Sequence, residues 1–445
     1  MKIAIVSLQF EETVTGGGGV HVGHICEQFL NAGEDVTVFS IHTNKTRKED
    51  IAEDNGLRYS VCRQEKGLKV VRFLIDENIE YPYDGDKDVE LERIIRFADA
   101  VIKWFRSSGE KFNIINLHGH HIIPGYIARE LKDKEGKVVS YLHALETTYV
   151  TEKGDFIGAF DGTSKVLKKI REWEAMCRYA DLIMVNSPIV GEEIKHIIKK
   201  HDEEAEKYFD KIVLLASGCN MDFLVSNDQV KKKLETKPEV IELVTFCRVD
   251  PSKGIEYSIS GAKAAAQLSS YGFCLTIAGI PSSDEYIEIL KKEAENTPEN
   301  LEIKFKLFDK ISPVEEKKEV LDDKVIYILP TLKEPFGMSL IEASARGTII
   351  VSADTNGPKW MLESDHGEDV EWGILTGKGV LVKITNDHHK NFAENIGKAL
   401  VWTVDNWENS VKNVLAFNKK IRNTWTWESI GRQYLEFFRF TINNG

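Results

Sequence analysis

The chain has 445 residues, enough for two or more domains with substantial cores, and its 42% hydrophobic and 29% charged residues are ordinary for a soluble globular protein. No apolar run reaches the roughly 18 residues that a membrane span requires, and a formal charge of −13 argues against broad binding to nucleic acid or anionic membranes. Six cysteines without C-x-x-C spacing (Cys26, Cys62, Cys177, Cys219, Cys247 and Cys274) favour reduced thiols over disulfides or zinc, and the opening MKIAIVSLQF reads as a strand and not a signal peptide, so the expected location is cytoplasmic.

From Met1 to about Asp222, short β-like runs alternate with amphipathic stretches. KIAIVSL is followed by the helical pattern VHVGHICEQFLNAG, then by DVTVFSIH and later by NIINLH, KVVSYLH, DLIMVNS and KIVLLAS. This alternation predicts a parallel sheet with crossover helices. Between the first strand and helix lies TGGGGV, where Gly16 to Gly19 let the backbone approach a ligand closely. The run is not G-x-G-x-x-G, since residue 21 is His, and it lacks the P-loop lysine, which disfavours a nicotinamide-dinucleotide site. His21 and His24, three apart, read as capping or surface residues in preference to metal ligands. Thr43 to Leu91 is polar and carries no decodable motif. Its D-x-D, Asp84-Gly85-Asp86, reads as part of a charged, solvated loop.

Two later strand ends carry histidines. LHGHH contains His118, His120 and His121 with no acidic residue in ligand spacing, so a metal is disfavoured and His118 is a candidate cleft-lining hydrogen bonder. His143 ends KVVSYLH, either as a ligand contact or as a satisfied structural donor. The basic stretch at Lys195, Lys199 and Lys200 is followed by Asp202 to Glu204 and Glu206, which favours a solvated helix face over membrane contact.

Phe223 to Lys237 is polar and charged, the composition of an exposed linker. From about Glu239 the alternation restarts with IELVTFCRV, EYSISGAKAAAQLSS, FCLTIAGI, SDEYIEILKKEAEN, LEIKFKLF, VIYILPT and TIIVSAD, a second α/β domain. After Asn391 the chain is again helical, ending in WTWESIGRQYLEFFRF. Two Rossmann-like domains in tandem predict a cleft at the C-terminal edges of their sheets. In CRVDPSKGI, Arg248 and Lys253 straddle a turn at such an edge, where an arginine fork and a lysine point charge suit a diphosphate. In EPFGMSLIE, Glu334 lies in a turn and Glu342 on the following helix, whose first amides at Gly337, Met338 and Ser339 suit a phosphate oxygen. The plain alternative is a solvated loop carboxylate and a first-turn charge that favours the helix dipole.

Taken in order, these motifs resemble the retaining GT-B glycosyltransferases of the group-1 (family 4) class, which includes sucrose-phosphate synthases and trehalose-forming glucosyltransferases. The resemblance spans both domains. It implies an α/β GT-B fold, two Rossmann-like domains facing a central cleft, with domains at 1–222 and 239–424, a linker at 223–238 and a C-terminal helix, 425–445, packing back on the first domain. It implies that Gly17, Gly18 and Gly19 meet donor phosphates and acceptor, that His143 contacts the transferred sugar, and that Arg248 and Lys253 of an R-x4-K-G turn hold the diphosphate. In the E-x7-E element, Glu334 is implied on the sugar hydroxyls and Glu342 on the nucleotide ribose, with Gly337, Met338 and Ser339 completing the phosphate site. SGCNMDFL, Ser217 to Leu224, is similar to the family's interdomain segment. Two departures stand out: His121 replaces the aspartate of an H-x-G-D region, and in DTNGPKWML Trp360 stands where the family often has a glutamate.

The implied activity is transfer of a hexose, glucose favoured, from a nucleotide-diphosphate sugar to a hydroxyl acceptor such as a small sugar or sugar phosphate, with retention. The nucleotide sugar is a co-substrate; no tightly bound cofactor, no essential metal and no nucleic acid is expected. The rival readings are a sugar-nucleotide epimerase of the same fold and an inert nucleotide-sugar-binding protein.

Overall fold

The run KIAIV is apolar on both faces because its strand, β1 (Lys2–Val6), lies inside a sheet, paired in parallel with β2 (Asp35–Ile41) on one side and β6 (Ile114–Gly119) on the other. The computed structural model describes residues 1–14, 16–46, 50–63, 67–83, 87–119, 122–132, 136–145, 164–309, 314–363, 367–384 and 390–444. The chain divides into two units, Met1–Ser217 with Trp427–Gly445, and Gly218–Thr426.

The first unit adds β3 (Ala52–Asp54), β4 (Leu57–Arg63), β5 (Lys69–Phe73), β7 (Lys137–Leu142), β8 (Leu182–Val185) and β9 (Ile212–Leu214), in the sheet order β3-β4-β5-β2-β1-β6-β7-β8-β9. The polar stretch without a motif folds as the antiparallel edge of this sheet, β3 with β4 and β4 with β5. Helix Lys87–Ser107 buries the stripe Ile94, Phe97, Val101 and Trp104 in the same core as Phe39 and Phe73. The last helix, Trp427–Asn444, belongs to this unit and packs on helix Gly17–Asn31. Phe29 packs edge-on to Tyr434 and at a tilt to Phe438, with ring centroids 5.7 and 5.5 Å away.

The second unit contains β10 (Val240–Phe246), β11 (Gly272–Gly279), β12 (Leu301–Leu307), β13 (Ile326–Leu329), β14 (Ile349–Ala353), β15 (Glu368–Val370), β16 (Gly373–Thr376) and β17 (Gly379–Val382), ordered β12-β11-β10-β13-β14-β17-β16-β15. Strands β15 to β17 form an antiparallel edge that the helical and apolar patterns did not announce. In each unit the chain lays strands outward on one side of its first strand, then returns to build the other side. The reversal falls between β1 and β6 in one sheet and between β10 and β13 in the other. No helix among the described residues is long and apolar enough to cross a membrane.

The expected linker is different in the structure. Residues Asn227–Leu234 form a helix with a Ser226–Gln229 capping box, and Val230 and Leu234, one turn apart, are buried in the second unit's core. Charged residues on the other helix faces hid this two-residue stripe. Leu234 is 1% exposed, and its carbonyl accepts from Trp407 Nε1 at 2.9 Å. Leu234→Ala should therefore destabilise the second unit by about 2–4 kcal/mol, read by urea unfolding; an unchanged midpoint would return this segment to the status of a linker.

Candidate functional site

In the second unit the turns that follow β10 and β13 are neighbours because the two strands pair in parallel. Asp250 organises the first turn: its Oδ1 accepts from the Ser252 amide at 3.0 Å and from the Ser252 hydroxyl at 2.5 Å. Burial opposes ionisation of Asp250, but the Arg248 charge, the Ser252 donors and Lys253 outweigh it and hold the carboxyl below the ordinary carboxylate range. The Thr331 hydroxyl joins the two turns, 3.2 Å from the Ser252 carbonyl and 2.9 Å from that of Lys333. Held this way, Lys253 Nζ donates to Glu334 Oε2 at 2.5 Å, with side chains only 16% and 13% exposed. Arg248 is exposed and makes no hydrogen bond or ion pair among the described residues.

Helix Met338–Ala345 starts at Gly337, whose φ of 108° and ψ of 56° suit only glycine. No side chain caps this helix, so its first amides and the positive end of its dipole stay open. Ser339 is fixed by the buried Tyr327, whose hydroxyl lies 2.7 Å from Ser339 Oγ and 2.9 Å from the Phe246 carbonyl at the end of β10. The Gly357 amide donates to the Glu334 carbonyl at 2.9 Å, and a Cβ at Gly357 would fall 2.1 Å from the Phe336 carbonyl oxygen. Glu342 lies one helical turn past Met338, and its Oε1 accepts from Lys317 Nζ at 2.8 Å. Trp360 packs 6.2 Å from Phe336 and 5.5 Å from Trp425, ring centre to ring centre. Tyr327, Thr331 and Lys317 carry no local sequence signal for these roles, since each acts on a residue that the folded chain brings near.

In the first unit the glycine run is the helix itself: Gly16 is the N-cap, and Gly17, Gly18 and Gly19 are the first turn of Gly17–Asn31. A Cβ at Gly19 would lie 2.8 Å from Gln9 Cβ and 2.9 Å from Val14 Cγ1, so the close approach of strand exit and helix start requires glycine there. A Cβ at Gly18 would sit 3.6 Å from the His143 ring, which places the open helix start beside that imidazole. His143 Nε2 is 3.3 Å from His118 Nδ1, and His118 Nε2 is 2.7 Å from Asn116 Oδ1. The Asn116 amide is oriented by its own bond to the Val139 carbonyl, so Oδ1 accepts and His118 Nε2 carries the proton. Burial lowers the His118 pKa to about 3, which keeps the ring neutral and leaves Nδ1 to accept from His143 Nε2–H.

His118 is thus not a ligand-lining residue. It is buried with both ring nitrogens engaged, and it sets the tautomer of His143. His21 is not a cap or surface residue either: fully buried, it is 2.9 Å from Ser217 Oγ through Nδ1 and 2.8 Å from the Tyr434 hydroxyl through Nε2. Its ring centre lies 4.9 Å from that of His143, and burial, then the charges His143, His118 and His24 would carry, lower its pKa well below the ordinary value. The buried residues His21, Val22, Ile25, Cys26 and Phe29 follow one helical stripe, the signal that places His21 inside. His24 stacks on Trp427 at 4.9 Å. Among the described residues no group of three or more His, Cys, Asp and Glu could hold a metal ion. Asp84, Gly85, Asp86, His120 and His121 lie outside the described residues.

Residues 226–401 match the family described as glycosyl transferases group 1, and residues 15–202 match Glycosyltransferase Family 4. The chain belongs to the group-1 glycosyltransferases. It is an enzyme, a glycosyltransferase of the hexosyl-transferring class. It is similar to a D-inositol 3-phosphate glycosyltransferase of Corynebacterium diphtheriae, 22% identical over 376 residues, covering 80% of this chain and 79% of the relative. In fold it is similar to the sucrose-phosphate synthase of Thermosynechococcus elongatus, with a TM-score of 0.71, 17% identity and 100% of both chains covered. It is also similar to the structure described as trehalose-6-phosphate from E. coli bound with UDP-2-fluoro glucose, with a TM-score of 0.64, 12% identity and 98% and 99% coverage. The glycosyltransferase therefore has the GT-B fold that its motifs implied.

The buried imidazoles give the enzyme a defined acid response. His21 and His118 stay neutral when folded but take up protons near 6.5 once unfolded, so stability is full above that pH and is lost as pH falls below it, for His118 down to about 3. Each contributes a slope of about 1.4 kcal/mol per pH unit well below the unfolded value. Thermal unfolding followed from pH 7 to pH 5 should show this decline, and His118→Gln should flatten it; an identical profile in the variant would remove His118 from the account.

Proposed function

We propose that this glycosyltransferase moves a hexose, glucose favoured, from a nucleotide-diphosphate sugar to a hydroxyl of a small sugar or sugar phosphate, with retention, giving an α-glycoside. The observation that carries the reading is the strand edge of the second unit. There Arg248, Lys253 and the open amides at Gly337, Met338 and Ser339 gather positive charge beside Glu334 and Glu342. A diphosphate leaving group develops charge as its bond to the sugar breaks, and fixed cations and helix-start amides stabilise that charge without reorganising. The Lys253–Glu334 pair matches a ligand that carries both a phosphate and hydroxyls: the ammonium turns to the phosphate oxygen while the carboxylate accepts from the sugar.

In the proposed step the acceptor oxygen bonds to the anomeric carbon on the face that the leaving phosphate vacates. The bond from that carbon to phosphate oxygen breaks, and the acceptor's proton passes to the departing phosphate. No protein nucleophile is assigned. His143, its ring oriented by His118 and its carbonyl held by Asn186 Nδ2 at 2.6 Å, orients the sugar, a positioning contribution. Gly17, Gly18 and Gly19 supply the open helix start of the first unit for phosphate and acceptor. The inositol phosphate and sucrose phosphate for which two relatives are named support a sugar phosphate here, and the UDP-sugar in the E. coli structure supports UDP-glucose as the first donor to try. No disulfide joins the six cysteines, which supports a reducing, cytoplasmic setting.

Nucleotide sugars are to be screened for thermal stabilisation and acceptors then for nucleoside diphosphate release. Release that ignores added acceptor would sink the transfer reading. Lys253→Ala and Glu342→Ala are each expected to lower transfer by about 10²–10³-fold with the unfolding temperature little changed; near wild-type turnover in both would overturn the site.

A further inference from the structure

Helix Val314–Asp322 leads into β13, and helix Met338–Ala345 leaves it, so the two helices serve the same strand. At one end they are joined by an ion pair, Lys317 Nζ to Glu342 Oε1 at 2.8 Å, with side chains 17% and 16% exposed. The first helix is also anchored by buried Val320 and Leu321, and at its other end Asp322 pairs with Arg346, the C-cap of the second helix. No described residue donates to the second oxygen of Glu342. A carboxylate held at one oxygen by an ammonium loses its free rotation and keeps lone pairs for a second donor.

We propose that Lys317 is the positioning residue of the ribose subsite: it fixes Glu342 through Oε1 so that Oε2 accepts from the vicinal hydroxyls of the nucleotide ribose. This rests on the reading of Glu342 as the ribose-binding group. A lone flexible glutamate would have to be ordered by each nucleotide that binds, whereas a lysine-held one is ordered beforehand, and the energy goes into telling ribose from a sugar without hydroxyls. Lys317 touches neither the diphosphate nor the transferred sugar in this arrangement, so its contribution is confined to one part of the donor.

The test uses the full chain, with UDP, GDP or ADP, whichever most raises the wild-type unfolding temperature, set against its 2′,3′-dideoxy counterpart and inorganic pyrophosphate. Wild type should prefer the ribonucleotide by roughly tenfold or more, the worth of a hydrogen bond to a charged group. Lys317→Met and Lys317→Gln should each reduce that ratio to about threefold or less while leaving pyrophosphate affinity unchanged; Lys317→Arg should restore it. A wild-type ratio in both neutral variants, a parallel loss of pyrophosphate binding, or failure of both variants to fold would overturn the proposal in favour of a structural ion pair. A wild-type chain that binds ribo and dideoxy forms equally would fail the Glu342 reading itself, and one that binds no nucleotide would fail the donor reading.

Discussion

The reversal of strand order beside the first strand of each sheet is the constraint on which the candidate site depends. Crossovers leave β10 and β13 toward opposite sides, so the backbone at their C-terminal ends is covered by neither. That opening brings Lys253 next to Glu334 although 81 residues separate them. The first unit repeats the device between β1 and β6, where the glycine helix start and the His118 strand end emerge as neighbours. Side chains then stiffen what topology places. Asp250, Thr331 and Tyr327 bond turn to turn and strand to helix start in the second unit, and Asn116, His118 and Asn186 hold His143 in the first.

Charge is managed differently in the two units. In the second, both carboxylates of the E-x7-E element are largely shielded from water and each is matched by one lysine. Removing one partner from such a pair leaves a poorly solvated charge, whereas a ligand that brings its own phosphate and hydroxyls can exchange with the pair at little electrostatic loss. The first unit instead buries neutral imidazoles, and the cost of charging them keeps them neutral. Tyr434 and Trp427 of the last helix close around His21, so that helix is part of the histidine support as well as a cover for Phe29.

How far this is legible in the sequence follows from how local each signal is. The parallel strands, the R-x4-K turn and the E-x7-E element are contiguous patterns, and the structure puts their residues on one sheet edge. The helix at Asn227–Leu234 escapes a sequence reading because its buried stripe has only Val230 and Leu234 among lysines and acids. His21 misleads because a histidine spaced three from another invites a surface or ligand interpretation, although it shares the stripe of Val22, Ile25 and Phe29. The glycine run suggests a loop because glycine is a poor helix former, yet close packing against Gln9 and Val14 sets its place in the first turn. Lys317 is invisible for a different reason: its partner is 25 positions away across a strand.

The tryptophan at position 360 bears on the same charge arrangement. It sits on the helix Asn356–Leu362, whose Gly357 amide holds the Glu334 carbonyl, and its ring leans on Phe336 of the EPFGMSLIE turn. A glutamate there would bring a third carboxylate to a segment bonded to Glu334, where two carboxylates are already each matched by one lysine, and like charges near one another repel. Tryptophan removes that repulsion and replaces it with aromatic packing that continues through Trp425 to Phe417, 6.1 Å further on. The turn that presents Glu334 is therefore braced by rings at a position where the family pattern places a charge.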